Sequence, residues 1–137
     1  MTNRRWPPKL ELPIHDRAAV ARLRRFVLRI TCAWGTPELA EQVTIRCSPR
    51  LKRSLGRAHF EREVVTLAPD LLLDQNRLEA VLCHELAHLA AHRLVGRSER
   101  PHGPTWQRLV ETVGFTPHAQ WPVADTPAGT SRPTFVR

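Results

Sequence analysis

The sequence predicts an α+β fold: a small, mainly antiparallel sheet packed on one central helix, with further helices flanking it. Three observations carry this expectation. Residues 76–94 are apolar almost all the way round a helix, as a helix at the centre of a domain must be. Two other segments carry apolar residues at helical spacing on one side only, the pattern of helices that pack on a core and face solvent. Short runs elsewhere alternate apolar and polar residues with the two-residue period of a half-buried strand.

The 137 residues are one domain's worth of chain, and a hydrophobic content of 42% is enough to build one core. The organisation expected is an irregular basic arm over 1–15, a folded domain over 16–118 and an irregular tail over 119–137. In the arm, Pro7, Pro8 and Pro13 stand among polar and basic residues. Asp16 then caps a helix in which Leu23, Val27, Ile30 and Trp34 recur along one face, widened by Val20 and Phe26, while Arg22, Arg25 and Arg29 collect on the other. Gly35, Thr36 and Pro37 interrupt it, a weakly helical ELAEQ follows, and VTIRC at 43–47 reads as the first strand. The basic segment 48–57, with Arg50, Lys52, Arg53 and Arg57, leads to two further strands near 56–60 and 63–68, joined by a hairpin through Glu61 and Arg62. Pro69 ends the second of these, Asp74 caps the long central helix, and Gly96 closes it just after Val95. A final helix starts at Pro104, where a first-turn proline has no helical hydrogen bond to lose. It buries Trp106, Leu109, Val110 and Val113 before Gly114. Beyond Pro117 the Pro, Thr, Gly and Ser content points to an extension on the surface.

Twenty-one basic against 13 acidic side chains give a formal charge of +8, carried almost wholly by arginine. Such a surface attracts polyanions, and guanidinium binds phosphate in a bidentate manner, so nucleic acid is a candidate partner. No stretch reaches the roughly 18 apolar residues of a membrane span, and a cytoplasmic protein is expected. Cys32, Cys47 and Cys83 are odd in number and widely spaced, which suggests neither a disulfide framework nor a zinc ribbon.

Into the apolar surface of the central helix the sequence places His84, Glu85 and His88, with Glu85 between Val81 and Leu89 on the most hydrophobic side. A carboxylate there is costly unless something compensates it, and a divalent cation does so. Histidines four apart share one helix face about 6 Å from each other, so both imidazoles can reach one zinc ion. Glu85 then lies beside the ion rather than on it, the position of a general base toward water in the HExxH pattern.

A catalytic zinc site takes a third protein ligand and keeps one position open. His15, His59, His92, His102 and His118 remain. His92 continues the four-residue series but lies about 12 Å of helical rise from His84, too far for three collinear imidazoles to share one ion. His102 follows a loop long enough to reverse the chain and precedes the last helix, so it can return over the first pair. Glu99 and Glu111 are the carboxylate alternatives. A pattern with a third histidine six residues after His88 is excluded, because the positions three and six after it are Ala91 and Leu94.

HELAH at 84–88 followed by HGPTW at 102–106, and preceded by SLGRAHF and VTLAPDLL, resembles the SprT-like, or Spartan-type, metallopeptidase domain over roughly residues 16–118. The resemblance implies a zincin-like fold, Zn2+ bound by His84, His88 and His102, and Glu85 as the catalytic residue. It also implies proteolysis of proteins trapped on DNA, with DNA (single-stranded or junction) meeting the arginine surface that includes Arg22, Arg25 and Arg29. No zinc-ribbon cysteines follow His102, a departure from the fuller members of that family. The strand at 64–68 is expected to border the cleft and pair with an extended polypeptide substrate, as zincin strands do. With no tyrosine in the chain, His118 or an arginine is the candidate oxyanion donor. Two other readings stand beside this one: a general small peptidase indifferent to DNA, and a non-catalytic nucleic-acid-binding module with a structural zinc.

Overall fold

In the computed structural model, residues 7–51, 53–118, 120–122 and 133–135 are described. Residues 1–6 of the basic arm, Lys52 of the basic segment and most of the tail lie outside that set. In the described part of the arm, Lys9–Glu11 forms strand β1, while the residues on either side of it belong to no helix or strand.

Helix α1, Arg17–Ala33, starts where the sequence places it: the Asp16 carboxylate accepts from the Ala18 amide at 2.9 Å. Its expected stripe is the buried one, Leu23, Phe26, Val27, Ile30 and Trp34, while Arg22, Arg25 and Arg29 are exposed. Gly35, at φ 76°, takes the left-handed turn that ends the helix, and the short α2, Pro37–Gln42, follows. Strand β2, Thr44–Cys47, leads through the basic segment to β3, Gly56–His59, and the hairpin returns as β4, Val64–Leu67. A 3-10 turn, Pro69–Leu73, delivers the chain to α3, Gln75–Val95, whose first turn is capped by Asp74 accepting from the Arg77 amide. Helix α4 is Pro104–Thr112. Two short tail strands, β5 (Gln120–Pro122) and β6 (Pro133–Phe135), pair antiparallel with each other.

The four-stranded sheet has the order β1-β2-β4-β3. Here the structure corrects the sequence reading: β1 and β2 are parallel, β2 and β4 are parallel, and only β3 and β4 are antiparallel. The mixed sheet arises because β1 reaches β2 through the helical crossover α1–α2, and parallel neighbours need such a crossover. The hairpin then returns β4 into the middle, leaving β3 outside. Strand β4 therefore has a partner on each side, so it is not the open strand the sequence reading expected, and among the described residues the outer strands of this sheet are β1 and β3.

Ile45, Val65 and Leu67 from the sheet meet Leu23, Val27 and Ile30 of α1 and Leu78, Val81, Leu82, Leu86 and Leu89 of α3 in one core. Residues 81–90 of α3 are all buried, which is why that helix is apolar all round. On its far side Trp106, Leu109 and Val110 of α4 close the layer, and the Trp34 indole donates to the Leu109 carbonyl at 2.7 Å, tying α1 to α4. No helix among the described residues is long and apolar enough to cross a membrane.

Candidate metal centre

Burial of α3 fixes the backbone that presents His84 and His88 one turn apart, with ring centroids 5.0 Å from each other. His102 comes from the loop between α3 and α4. It stands at φ 63°, a left-handed conformation that costs a non-glycine residue about 1 kcal/mol and marks a backbone held in place by its surroundings. Three contacts do the holding. Glu99 accepts from the Thr105 amide at 2.8 Å and from its hydroxyl at 2.6 Å, capping α4 from within the loop. Gly103 packs so tightly that a β-carbon there would lie 2.8 Å from the Arg100 carbonyl oxygen. The Gln107 side-chain amide donates to the His102 carbonyl at 3.0 Å.

The outcome is convergence: the Nε2 atoms of His84 and His102 are 3.0 Å apart and those of His88 and His102 3.1 Å. Nitrogens bound at 2.0–2.1 Å in a tetrahedral site stand about 3.3 Å from one another, so the spacing suits one small cation. The donor chemistry agrees. His84 and His88 are 2% and 6% exposed. Burial first, then the neighbouring His102, depresses the basicity of His88 to about 3, leaving the neutral imidazole that ligates a metal. Lone pairs of neutral rings facing one another repel unless a proton or a cation is shared among them.

Trp106 braces the cluster. Its indole N–H donates to the His84 carbonyl at 3.1 Å, its ring lies against His88 at 5.5 Å and 24°, and it meets His84 and His102 edge-on at 4.7 and 4.5 Å. Glu85, next to His84, is 0% exposed and faces β3. The strand comes so close there that a β-carbon on Gly56 would touch Glu85 Cγ and Val81 Cγ1, both at 3.0 Å.

The other sequence candidates lie elsewhere. His92 stacks on Phe60 with centroids 4.9 Å apart and is outside the cluster. The Glu99 carboxylate is engaged by Thr105, which holds its pKa below the ordinary value, and Glu111 is exposed on α4. His15 is exposed, His59 accepts from the Arg62 amide within the hairpin, and His118 is exposed after α4. Cys83 is fully buried; burial pushes its thiol up to about 12, with Arg29 acting weakly the other way. Sequence reasoning missed Gly56 and the Glu99–Thr105 cap. A glycine inside a strand pattern signals a close backbone approach, so the first was available. The second depends on a loop conformation that no periodicity encodes.

Fold and cluster together define an α+β protein whose three buried or half-buried histidines form a set able to hold a metal ion. A sequence model described as the SprT-like family matches residues 22–127, and the chain belongs to that family. Protein SprT of Pseudomonas paraeruginosa (strain DSM 24068 / PA7) is 37% identical over 60 residues, covering 42% of this chain and 36% of that protein. Protein SprT of Proteus mirabilis (strain HI4320) is 43% identical over 60 residues, covering 42% and 35%. For Protein SprT of Pseudomonas fluorescens (strain SBW25) the identity is 37% over 60 residues, with coverages of 42% and 37%. The chain thus spans little more than a third of the length of these relatives.

Proposed function

We propose that the chain is a zinc-dependent endopeptidase of zincin-like arrangement that acts in the cytoplasm on DNA-associated or DNA-crosslinked proteins. The observation that carries this reading is the meeting of three imidazole nitrogens from two separate segments beside a fully buried glutamate on the same helix. His84, His88 and His102 hold the metal. Among the described residues the cluster supplies three ligands and no fourth side chain, which favours a catalytic over a structural zinc. When bound, the ion supplies Lewis acidity toward water and toward a peptide carbonyl.

Glu85 does the proton work: a carboxylate oxygen takes a proton from the attacking water and passes it to the departing amine nitrogen. Trp106 and the Glu99–Thr105 cap keep the third imidazole over the other two. The outer strand β3 offers its open edge to an extended polypeptide, and such main-chain pairing selects little for sequence. Arg22, Arg25 and Arg29, all exposed on α1, supply the DNA-facing surface.

Glu85→Gln is expected to lower proteolysis at least about 100-fold while zinc stays near one per chain, because the carboxylate is base and not ligand. Undiminished turnover in that variant rules out the mechanism. Casein cleavage compared with and without single-stranded DNA decides the substrate class: stimulation supports the DNA-linked reading, and equal rates leave a general peptidase.

A further inference from the structure

A cleft of about 460 Å³ opens from the metal centre, where His88, His102 and Trp106 line it, and runs along the C-terminal end of α3 past Phe60, His92 and Val95. That volume lies in the range of pockets that enclose small organic groups. Phe60 is the unusual member. It sits at a hairpin tip, where polar turn residues are the rule, and keeps 38% of its surface exposed.

Its ring is nonetheless fixed. It tilts on His92 at 4.9 Å between centroids and 32°, and meets His88 edge-on at 6.5 Å and 89°. The hairpin that carries it is fastened to α3 by a two-pronged ion pair: Arg93 donates from Nε and from Nη2 to the two carboxylate oxygens of Glu63, both at 2.7 Å. Glu63 itself is at φ 54°, a left-handed position a glutamate does not take by preference. The fork raises the already high pKa of Arg93, chiefly through its hydrogen bond to Glu63. An exposed aromatic ring held rigidly beside a metal-binding histidine presents a flat apolar wall, and the occupant complementary to such a wall is another ring.

We propose that Phe60 and His92 form a subsite for an aromatic side chain of the polypeptide bound at the metal centre, and that Glu63 and Arg93 are the positioning pair that keeps it formed. The proposal rests on the peptidase reading for the identity of its occupant. The subsite itself is made of side chains present whether or not zinc is bound.

The test titrates N-acetyl-phenylalanine amide, N-acetyl-leucine amide and N-acetyl-alanine amide into the isotope-labelled full chain, with and without zinc, and follows chemical shifts. The phenylalanine amide should perturb Phe60, His92 and Val95 and bind roughly tenfold more tightly than the alanine amide. Phe60→Ala, at a hairpin-tip position 38% exposed, should abolish that preference. Arg93→Gln should weaken binding of the phenylalanine amide while Arg93→Lys restores part of it. Equal affinities across the series, shifts remote from the cleft, or a preference that survives Phe60→Ala overturns the proposal. In a parallel arm, cleavage of a mixed peptide library should favour bonds next to an aromatic residue in the native chain and lose that bias in Phe60→Ala. If the native chain cleaves nothing while the amides still discriminate, the peptidase reading fails and the subsite stands.

Discussion

A β-carbon at Gly56 would lie 3.0 Å from Glu85 Cγ and from Val81 Cγ1, and 3.1 Å from Glu85 Oε2. Both neighbours belong to the buried part of α3 and have little room to give, so Gly56→Ala is expected to cost about 1–3 kcal/mol of stability by overpacking. Because the displaced group is the proposed base, proteolysis of casein should fall at least about tenfold, the rate cost of a small displacement of catalytic groups, while zinc content is kept. Urea unfolding and metal analysis on the same variant check both halves, and wild-type stability with wild-type turnover would remove Gly56 from the site. At this scale the sequence was only partly legible. HELAH names His84, Glu85 and His88 outright because their spacing is a property of one helix. Gly56 meets Glu85 across 29 positions of sequence: a glycine within a strand signals a close approach, but nothing local says which residue it approaches.

The loop between α3 and α4 shows how one element places a residue for another. Its Glu99 carboxylate receives both the amide and the hydroxyl of Thr105, and these two bonds depress its pKa. A depressed carboxyl stabilises the fold at pH values above its ordinary range, and that contribution disappears as pH falls through the lowered folded value. Glu99→Ala removes the cap and frees the turn that holds His102. Zinc affinity, measured by competition with a chelating dye at neutral pH, should drop about 10–100-fold, as when a ligand's supporting shell is lost. Unchanged affinity would mean that the loop is held without the cap. The helices themselves were readable beforehand: Asp16 and Asp74 accept from the amides expected of N-caps, and the stripe of α1 is the face it buries. Strand partners were not, since the alternation in 43–47 is the same in a parallel and an antiparallel sheet.

Across the whole molecule, the three histidines join the central helix to a loop 14 residues further along, so a bound metal acts as a staple on the folded state alone. Zinc in excess should raise the melting temperature by on the order of 10 °C over chelator-treated protein, from a linkage contribution of about 3 kcal/mol at a hundred times the dissociation constant. A melting curve indifferent to zinc and chelator would refute metal binding at this cluster. The formal charge of +8 acts at the same scale. Replacing exposed Arg22, Arg25 and Arg29 with Gln should lower the slope of log affinity against log salt for single-stranded DNA by about 2, with the fold intact by circular dichroism. An unchanged slope would place any nucleic-acid contact on another face.

What the sequence determined by itself is whatever a single helix or cap encodes. It named the buried middle of α3, the faces of α1 and α4, the termini of these helices, and the pair of histidines with the glutamate between them. Periodicity and capping act within a few residues, so they survive in a linear reading. The tertiary structure decided the strand order, the placement of β4 between β2 and β3, the tight approach of Gly56 to Glu85, and the use of Glu99 as a cap rather than a ligand. Each of these depends on which distant segments meet, and that is set by packing of the whole chain around α3 rather than by any local preference.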